Sequence, residues 1–308
     1  MIRFLVILVI AVIHIGVMPA SGQRKSTNTL PTASEEINLL LRCDDIGMCH
    51  AVNMATKQLI ETGIPFSASV MFACPWYQEA VEILKKHPHI SVGIHLTLGS
   101  EWKNYRWGPI TGRNSVPSLV DSLGYFHATP AIHLAHNPKT DEVEQEFRAQ
   151  IERALGTGLR IDYLDNHMGA GLYNQEQRAL LEKLAAEYKL GISGYYAEEK
   201  VNVPAQYPFE VQADTLIAML QKLKPGKPKL IVIHLGLETP EMDALQDMNE
   251  SRVKKMSRQR QTELTILSSP KFREAIQSNQ IKLITYRELV AQQKKDAVKQ
   301  PENKAVKK

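Results

Sequence analysis

Short apolar runs alternate with segments of helical periodicity along most of this chain. The run Asn38-Leu39-Leu40-Leu41-Arg42-Cys43 reads as a strand, and a helix follows from about His50 to Thr62, with Val52, Ala55, Leu59 and Ile60 at helical spacing and Gly63 as its stop. Phe66 to Phe72 predicts a second strand, Pro75 to Lys86 a helix that ends before Pro88, and Ile90 to Ile94 a third strand. From Gly99 to about Lys139 the pattern lapses into a stretch rich in Gly, Pro and aromatic residues. That is too long for an ordinary connection and is read as a lid or substrate loop. The alternation then resumes with helix Asp141–Leu155, strand Ile161–Leu164, helix Asn174–Tyr188, a short strand at Ile192–Tyr196, helix Asp214–Leu223 and strand Leu230–Ile233. A charged helix over Ser251–Leu267, strand Ile281–Ile284 and a last helix from Tyr286 complete it. Strands interleaved with helices imply an α/β fold with a parallel sheet of about seven strands. Closing that sheet gives an irregular (β/α) barrel, although periodicity alone does not separate a barrel from an open doubly wound sheet.

Composition changes this picture little. The chain has 308 residues, 44% hydrophobic and 23% charged, enough to bury a substantial core. Its formal charge of +4 owes much to Lys294, Lys295, Lys299, Lys304, Lys307 and Lys308, in a 292–308 tail that reads as basic and mobile, so no nucleic-acid partner is expected. The N-terminus adds a location. Met1-Ile2-Arg3, the apolar stretch from Phe4 to Val17 and the small residues Pro19-Ala20-Ser21-Gly22 have the layout of a signal peptide over 1–22, cleaved before Gln23. The protein is therefore expected to be exported, periplasmic or secreted, with an uncleaved membrane anchor as the alternative. A polar linker over 23–35 separates this leader from a catalytic domain over 36–291. Cys43, Cys49 and Cys74 are too few for a disulfide framework and read as small core residues, with a Cys43–Cys49 bridge left open.

Candidate chemistry lies where the strands stop. Asp44-Asp45 ends the first apolar run, His95 closes Ile90–Ile94, His167 follows Ile161-Asp162-Tyr163-Leu164-Asp165-Asn166, and His234 closes Leu230–Ile233. A strand covered on both faces tolerates carboxylates only where it emerges into a solvated mouth. Parallel strands bring such ends to one face, and carboxylate with imidazole suits a divalent ion.

With these residues in hand, the chain resembles the YdjC-like carbohydrate deacetylases, a family that includes chitooligosaccharide deacetylases. The likeness rests on Arg42-Cys43-Asp44-Asp45-Ile46-Gly47 with Val52-Asn53, Ser67-Ala68-Ser69, Gly93-Ile94-His95-Leu96-Thr97-Leu98 and Asp165-Asn166-His167. It continues through His234-Leu235-Gly236, Arg260 with Glu263-Leu264, and Tyr286-Arg287-Glu288-Leu289. The resemblance implies an irregular TIM-like barrel. It implies removal of N-acetyl groups from amino sugars or oligosaccharides, giving acetate and a free amine. Asp45, His95 and His167 would hold a divalent ion, magnesium or zinc, with Asp44 as base and His234 as acid. Two departures stand out. Gly169 occupies a position where the family commonly has a second histidine, and the family's Cys-His-Pro-Gly segment reads Ile233-His234-Leu235-Gly236 here.

Other readings compete at several positions. Arg260 and Glu263 have the spacing of an exposed helical pair as well as of site residues. Trp102, Tyr105 and Trp107 are candidates for stacking on sugar, against simple packing of the long loop; Trp102 and Arg260 are the substrate-binding candidates. His127, His133 and His136 show no ligand spacing. The expected partner is an N-acetylated sugar or oligosaccharide, with a homodimer as the candidate self-association. A carbohydrate-binding protein without catalysis, or a metal-dependent phosphate or ester hydrolase, are the alternatives. A glycosidase would need a distant acid such as Asp165 beside the adjacent pair.

Overall fold

Alternation of burial along the first strand explains the architecture. The computed structural model describes residues 36–249 and 255–299, and in it β1 spans Ile37–Ile46. Leu39, Leu41 and Cys43 belong to a large outer core against the helices, whereas Leu40 joins Tyr163, Leu230, Ile284 and Tyr286 in a smaller inner core. Successive strand residues face opposite ways, so a strand buried on both faces carries continuous leucine.

The remaining strands are β2 (Ser67–Val70), β3 (Ser91–Leu96), β4 (Ile161–Asn166), β5 (Gly191–Ile192), β6 (Glu199–Lys200), β7 (Lys229–His234) and β8 (Ile281–Ile284). All pair in parallel, in the order β5-β4-β3-β2-β1-β7-β6, and β8 adds to the first half of β1. Leu39 and Leu40 are matched by both β7 and β8, so β8 lies along the edge of β1 that β2 takes over further on. The sheet curls. Arg42 on β1 reaches Ser193, just beyond edge strand β5, at 2.6 Å, and Ser69 on β2 reaches past β3 to Tyr163 on β4 at 2.7 Å. The expectation of an irregular TIM-like (β/α) barrel holds. Gly93 on β3 is required by this inner packing, because a Cβ there would lie 2.4 Å from the Tyr163 ring.

The helices are α1 (His50–Glu61), α2 (Tyr77–Lys85), α3 (Pro130–Ala135), α4 (Thr140–Gly156), α5 (Gln175–Tyr188), α6 (Phe209–Leu220), α7 (Pro240–Asp243), α8 (Met256–Ser268), α9 (Pro270–Ser278) and α10 (Tyr286–Lys299). α4 starts with Asp141 and Glu142 and ends near Arg153, charges that oppose its dipole at both ends. Several details differ from the sequence expectation. α3, α7, α9 and β6 are additional; the strand expected over Ile192–Tyr196 stops at Ile192, where the chain turns through Gly194; and α10 continues past Ala291 to Lys299. Residues 251–254 of the expected charged helix, the leader and linker over 1–35, and 300–308 of the tail lie outside the described residues. Among the described residues no helix is long and apolar enough to cross a membrane. Cys43, Cys49 and Cys74 are all unpaired, so the Cys43–Cys49 bridge is not formed.

The long loop after β3 is pinned to α4. Glu146 accepts from the Ile110 and Thr111 amides, each at 3.1 Å, and from the Thr111 hydroxyl at 2.9 Å; Glu142 accepts from the Ser118 amide and hydroxyl, each at 2.7 Å. Trp107 donates its indole N–H to the Gly99 carbonyl. Most of this segment is thus scaffold, and the part that faces the barrel mouth is its first turn.

Candidate functional site

The even positions of β1 lead from the inner core to the site. Above Leu40 come Arg42 and Asp44, and a regular strand would then turn Asp45 to the opposite face. It does not, because Asp45 has φ 61 and the β1–β2 register breaks between Cys43 and Ile46. Asp tolerates the left-handed conformation better than most residues, and the irregularity re-aims the strand end so that both carboxylates reach one cavity. Gly47 follows at φ 87, with its amide held by Asn53 Oδ1 at 2.8 Å; its Cβ would press on Tyr77.

That cavity, about 550 Å³, lies at the C-terminal ends of β1, β3, β4 and β7. It brings together all seven site residues expected from sequence: Asp44, Asp45, His95, His167, His234, Trp102 and Arg260. Asp45 Oδ1 lies 3.4 Å from His95 Nε2 and 3.3 Å from His167 Nδ1, with the two rings 5.2 Å apart. The other oxygen, Oδ2, accepts from Arg260 Nη2 at 2.6 Å. His95 stands beside Asp165 in register on β4, and its Nδ1 meets Asp165 Oδ1 at 2.8 Å. Asp165 also accepts from Ser69 and lies 2.9 Å from Arg42 Nε. On the far side of His167, Nε2 meets Glu101 Oε2 at 3.0 Å. Arg42 grips Asp44 with two bonds of 2.7 Å. His234, half-buried, is the register partner of Asp44 on β7, and Glu263 Oε2 accepts its backbone amide at 2.8 Å.

These contacts set the protonation states. Burial alone would raise the Asp45 carboxyl, but the Arg260 guanidinium and the two imidazoles hold it well below the usual carboxylate range. Burial would lower His95, yet Asp165 and Asp44 push it well above the usual imidazole value. His167 rises to about 9 because Glu101 and Asp45 outweigh its burial. Glu263 is raised by burial.

Among the described residues, buried Asp45 Oδ1 has no hydrogen-bond partner, although two imidazole nitrogens point toward it. One carboxylate oxygen and two imidazoles converge within 4.8 Å of one another, and a divalent ion suits that donor set. His95 and His167 each turn their second nitrogen to a carboxylate, as metal-ligating imidazoles almost always do with a carboxylate, carbonyl or water.

The residues match a known family over most of their length. Residues 38–278 match the YdjC-like protein family. The chain belongs to that family. It is 26% identical over 264 residues to a carbohydrate deacetylase of Brevibacillus brevis, covering 82% of this chain and all of that one. It is 25% identical over 258 residues to a carbohydrate deacetylase of Geobacillus stearothermophilus, covering 81% and 96%. A crystal structure from Enterococcus faecalis, described as a cellobiose-phosphate cleavage protein, superimposes with a TM-score of 0.69 over 82% of this chain and 99% of that one. At 24% identity, that structure supports the fold. The expected YdjC-like membership is thus met, and the expected carbohydrate deacetylase activity agrees with the names of these relatives.

Other positions resolve alternatives left open by the sequence. Arg260 and Glu263 are buried, which removes the exposed-pair reading and keeps the site reading: they contact Asp45 and the His234 amide separately. Trp102 lines the cavity but is only 1% exposed, against the Arg260 guanidinium, while Trp107 and Tyr105 pack the loop. His127, His133 and His136 come together in ring contact despite their unpromising spacing. Gly169 has φ 82, so a side chain there would need a left-handed backbone, while its Cβ would meet Tyr173 only at ordinary contact distance. Sequence reasoning did not single out Arg42 or Glu101, and gave Asp165 no part in holding His95. Arg42 carried a readable signal, since it is a lone cation two residues before Asp44 and so shares its face.

Proposed function

We propose that YdjC-like residues of this chain remove N-acetyl groups from amino sugars or oligosaccharides in a reaction that depends on a divalent ion. The observation that carries this reading is the partnerless Asp45 Oδ1 facing two imidazoles, in the cavity that also holds Asp44 and His234. Asp45, His95 and His167 would hold the ion, which supplies polarisation of the acetyl carbonyl and acidification of water. Asp44 takes the proton of the attacking water. Although Arg42 occupies one lone pair on each Asp44 oxygen, a carboxylate has about four acceptor positions, so the base is oriented and still able to accept. His234, on the neighbouring strand, protonates the departing amine. Amide hydrolysis needs these two proton transfers at separate points, and adjacent strands supply them. Magnesium or zinc fits the reading, with zinc the better match to two nitrogens and one oxygen.

Acetate release from N-acetylated oligosaccharides, with phosphate esters as parallel substrates, tests the assignment. Asp44→Asn is expected to lower turnover by about 10²–10⁴-fold while the ion still binds. Turnover unchanged by Asp44→Asn or by a chelator would overturn it. We also place the activity outside the cytoplasm, on the N-terminal apolar segment alone; a mature chain beginning at Gln23 is the expected result of N-terminal sequencing.

A further inference from the structure

Two histidines face Asp45 through different nitrogens, and the difference has an identifiable cause. His95 presents Nε2 because its Nδ1 lies against Asp165; His167 presents Nδ1 because its Nε2 lies against Glu101. A neutral imidazole carries one ring proton, and the nitrogen that bears it cannot ligate. With both rings buried, the acceptor behind each ring decides which nitrogen is free.

We propose that Glu101 is the positioning residue of His167, selecting its Nδ1 as the nitrogen that binds the ion. This rests on the metal-dependent reading above. Glu101 does not share the ion itself, since it meets the nitrogen on the side of the ring away from Asp45. Its delivery also differs from that of Asp165. Asp165 comes in register from the sheet, whereas Glu101 comes from the turn after β3, clasped to the segment after β7. The Met248 amide donates to the Glu101 carbonyl at 2.8 Å, the Lys103 amide donates to the Gln246 carbonyl at 2.9 Å, and Trp102 bridges Asp247 in antiparallel fashion. Glu101, Trp102, Asp247 and Asn249 all line the cavity. The clasp that shapes the sugar-facing wall therefore also sets the metal-facing nitrogen of His167.

Zn²⁺ titration of the stripped full-length chain against a chromophoric chelator, with ¹⁵N-histidine NMR of the Zn²⁺-loaded protein, tests this. The wild type is expected to keep a proton on His167 Nε2, and Glu101→Ala to lose about ten- to hundredfold in Zn²⁺ affinity. Glu101→Gln should recover much of that loss, because its carbonyl oxygen can accept the same N–H. Lys85→Ala, exposed on α2 and outside the cavity lining, should bind as the wild type does. Unchanged affinity in Glu101→Ala, His167 bound through Nε2, or a wild type that binds no Zn²⁺ would each overturn the assignment. The titration needs no substrate. Glu101-dependent Zn²⁺ binding without acetate release would therefore sink the deacetylase reading and leave this one standing.

Discussion

Replacing Arg260 with Met removes the one guanidinium that, among the described residues, pairs with Asp45, while keeping much of the side chain's bulk. The pair is 2.6 Å apart, with side chains 4% and 3% exposed, so the lost partner leaves a largely buried charge with little solvent to screen it. Breaking such a pair costs about 3–5 kcal/mol. The lower end applies, because His95 and His167 flank the other Asp45 oxygen and both have raised proton affinity, His167 up to about 9. Without a bound ion this raised proton affinity favours protonated rings, which soften the loss. For a domain of this size roughly 2 °C accompanies each kcal/mol, so about 3 kcal/mol lowers Tm by about 6 °C in chelator. An added divalent ion supplies the missing positive charge, and its stabilising shift should be larger in Arg260→Met than in the wild type. Differential scanning calorimetry with chelator and with Zn²⁺ measures both quantities. A chelated variant melting within about 1 °C of the wild type, or a smaller Zn²⁺ shift in the variant, would refute the reasoning.

Two further outcomes are expected. Among the described residues, buried His133 has no hydrogen-bond partner for either ring nitrogen, and burial, with His127 and His136 nearby, lowers its pKa to about 4. Because this folded-state value lies below the unfolded value of about 6.5, the protein loses about 3 kcal/mol as pH falls from about 6.5 to 4. His133→Phe should flatten urea-denaturation stability across that window, and an equally steep decline would count against the assignment. Glu146→Ala leaves the Ile110 and Thr111 amides without their acceptor, at about 1–3 kcal/mol each. It should speed limited proteolysis between residues 99 and 139, with Glu146→Gln milder; unchanged cleavage would show that other contacts hold the loop.

The parts of the site legible in the sequence are those the sheet delivers. Asp44, Asp45, His95, His167 and His234 each interrupt or end an apolar run, and polar groups in a doubly covered strand survive only at the mouth. α3 and α7 were also within reach, since each opens with a Thr-Pro pair whose hydroxyl caps the first turn. The supporting groups were less so. Glu101 lies 66 residues from His167 with no periodicity linking the pair, and Glu263, although named beside Arg260 as a site candidate, carries no sequence signal tying it to the His234 amide 29 residues away. The bulge between Val92 and Gly93 shifts the register that sets Asp165 beside His95. α8 misleads in another way. Its first two turns are almost wholly polar and read as solvated, yet Ser257, Gln259, Arg260 and Glu263 are buried there because the helix lies over the barrel mouth.

Charge explains why such a cluster is tolerated in the fold. Asp44, Asp45, Asp165 and Glu101 are buried acids, and among the described residues only Arg42 and Arg260 of their contacts carry permanent positive charge. Two negative charges remain, a cost that Coulomb attraction between the existing pairs does not remove. Two protonated imidazoles offset them in the chain alone, which accounts for the upward shifts of both His95 and His167. In the proposed metal-bound state a divalent ion would offset them instead, with both imidazoles neutral. The same acids that raise the proton affinity of these rings would then favour exchange of two protons for one divalent ion. Asp165 and Glu101, each set against the nitrogen facing away from Asp45, would let that exchange proceed without either ring having to turn.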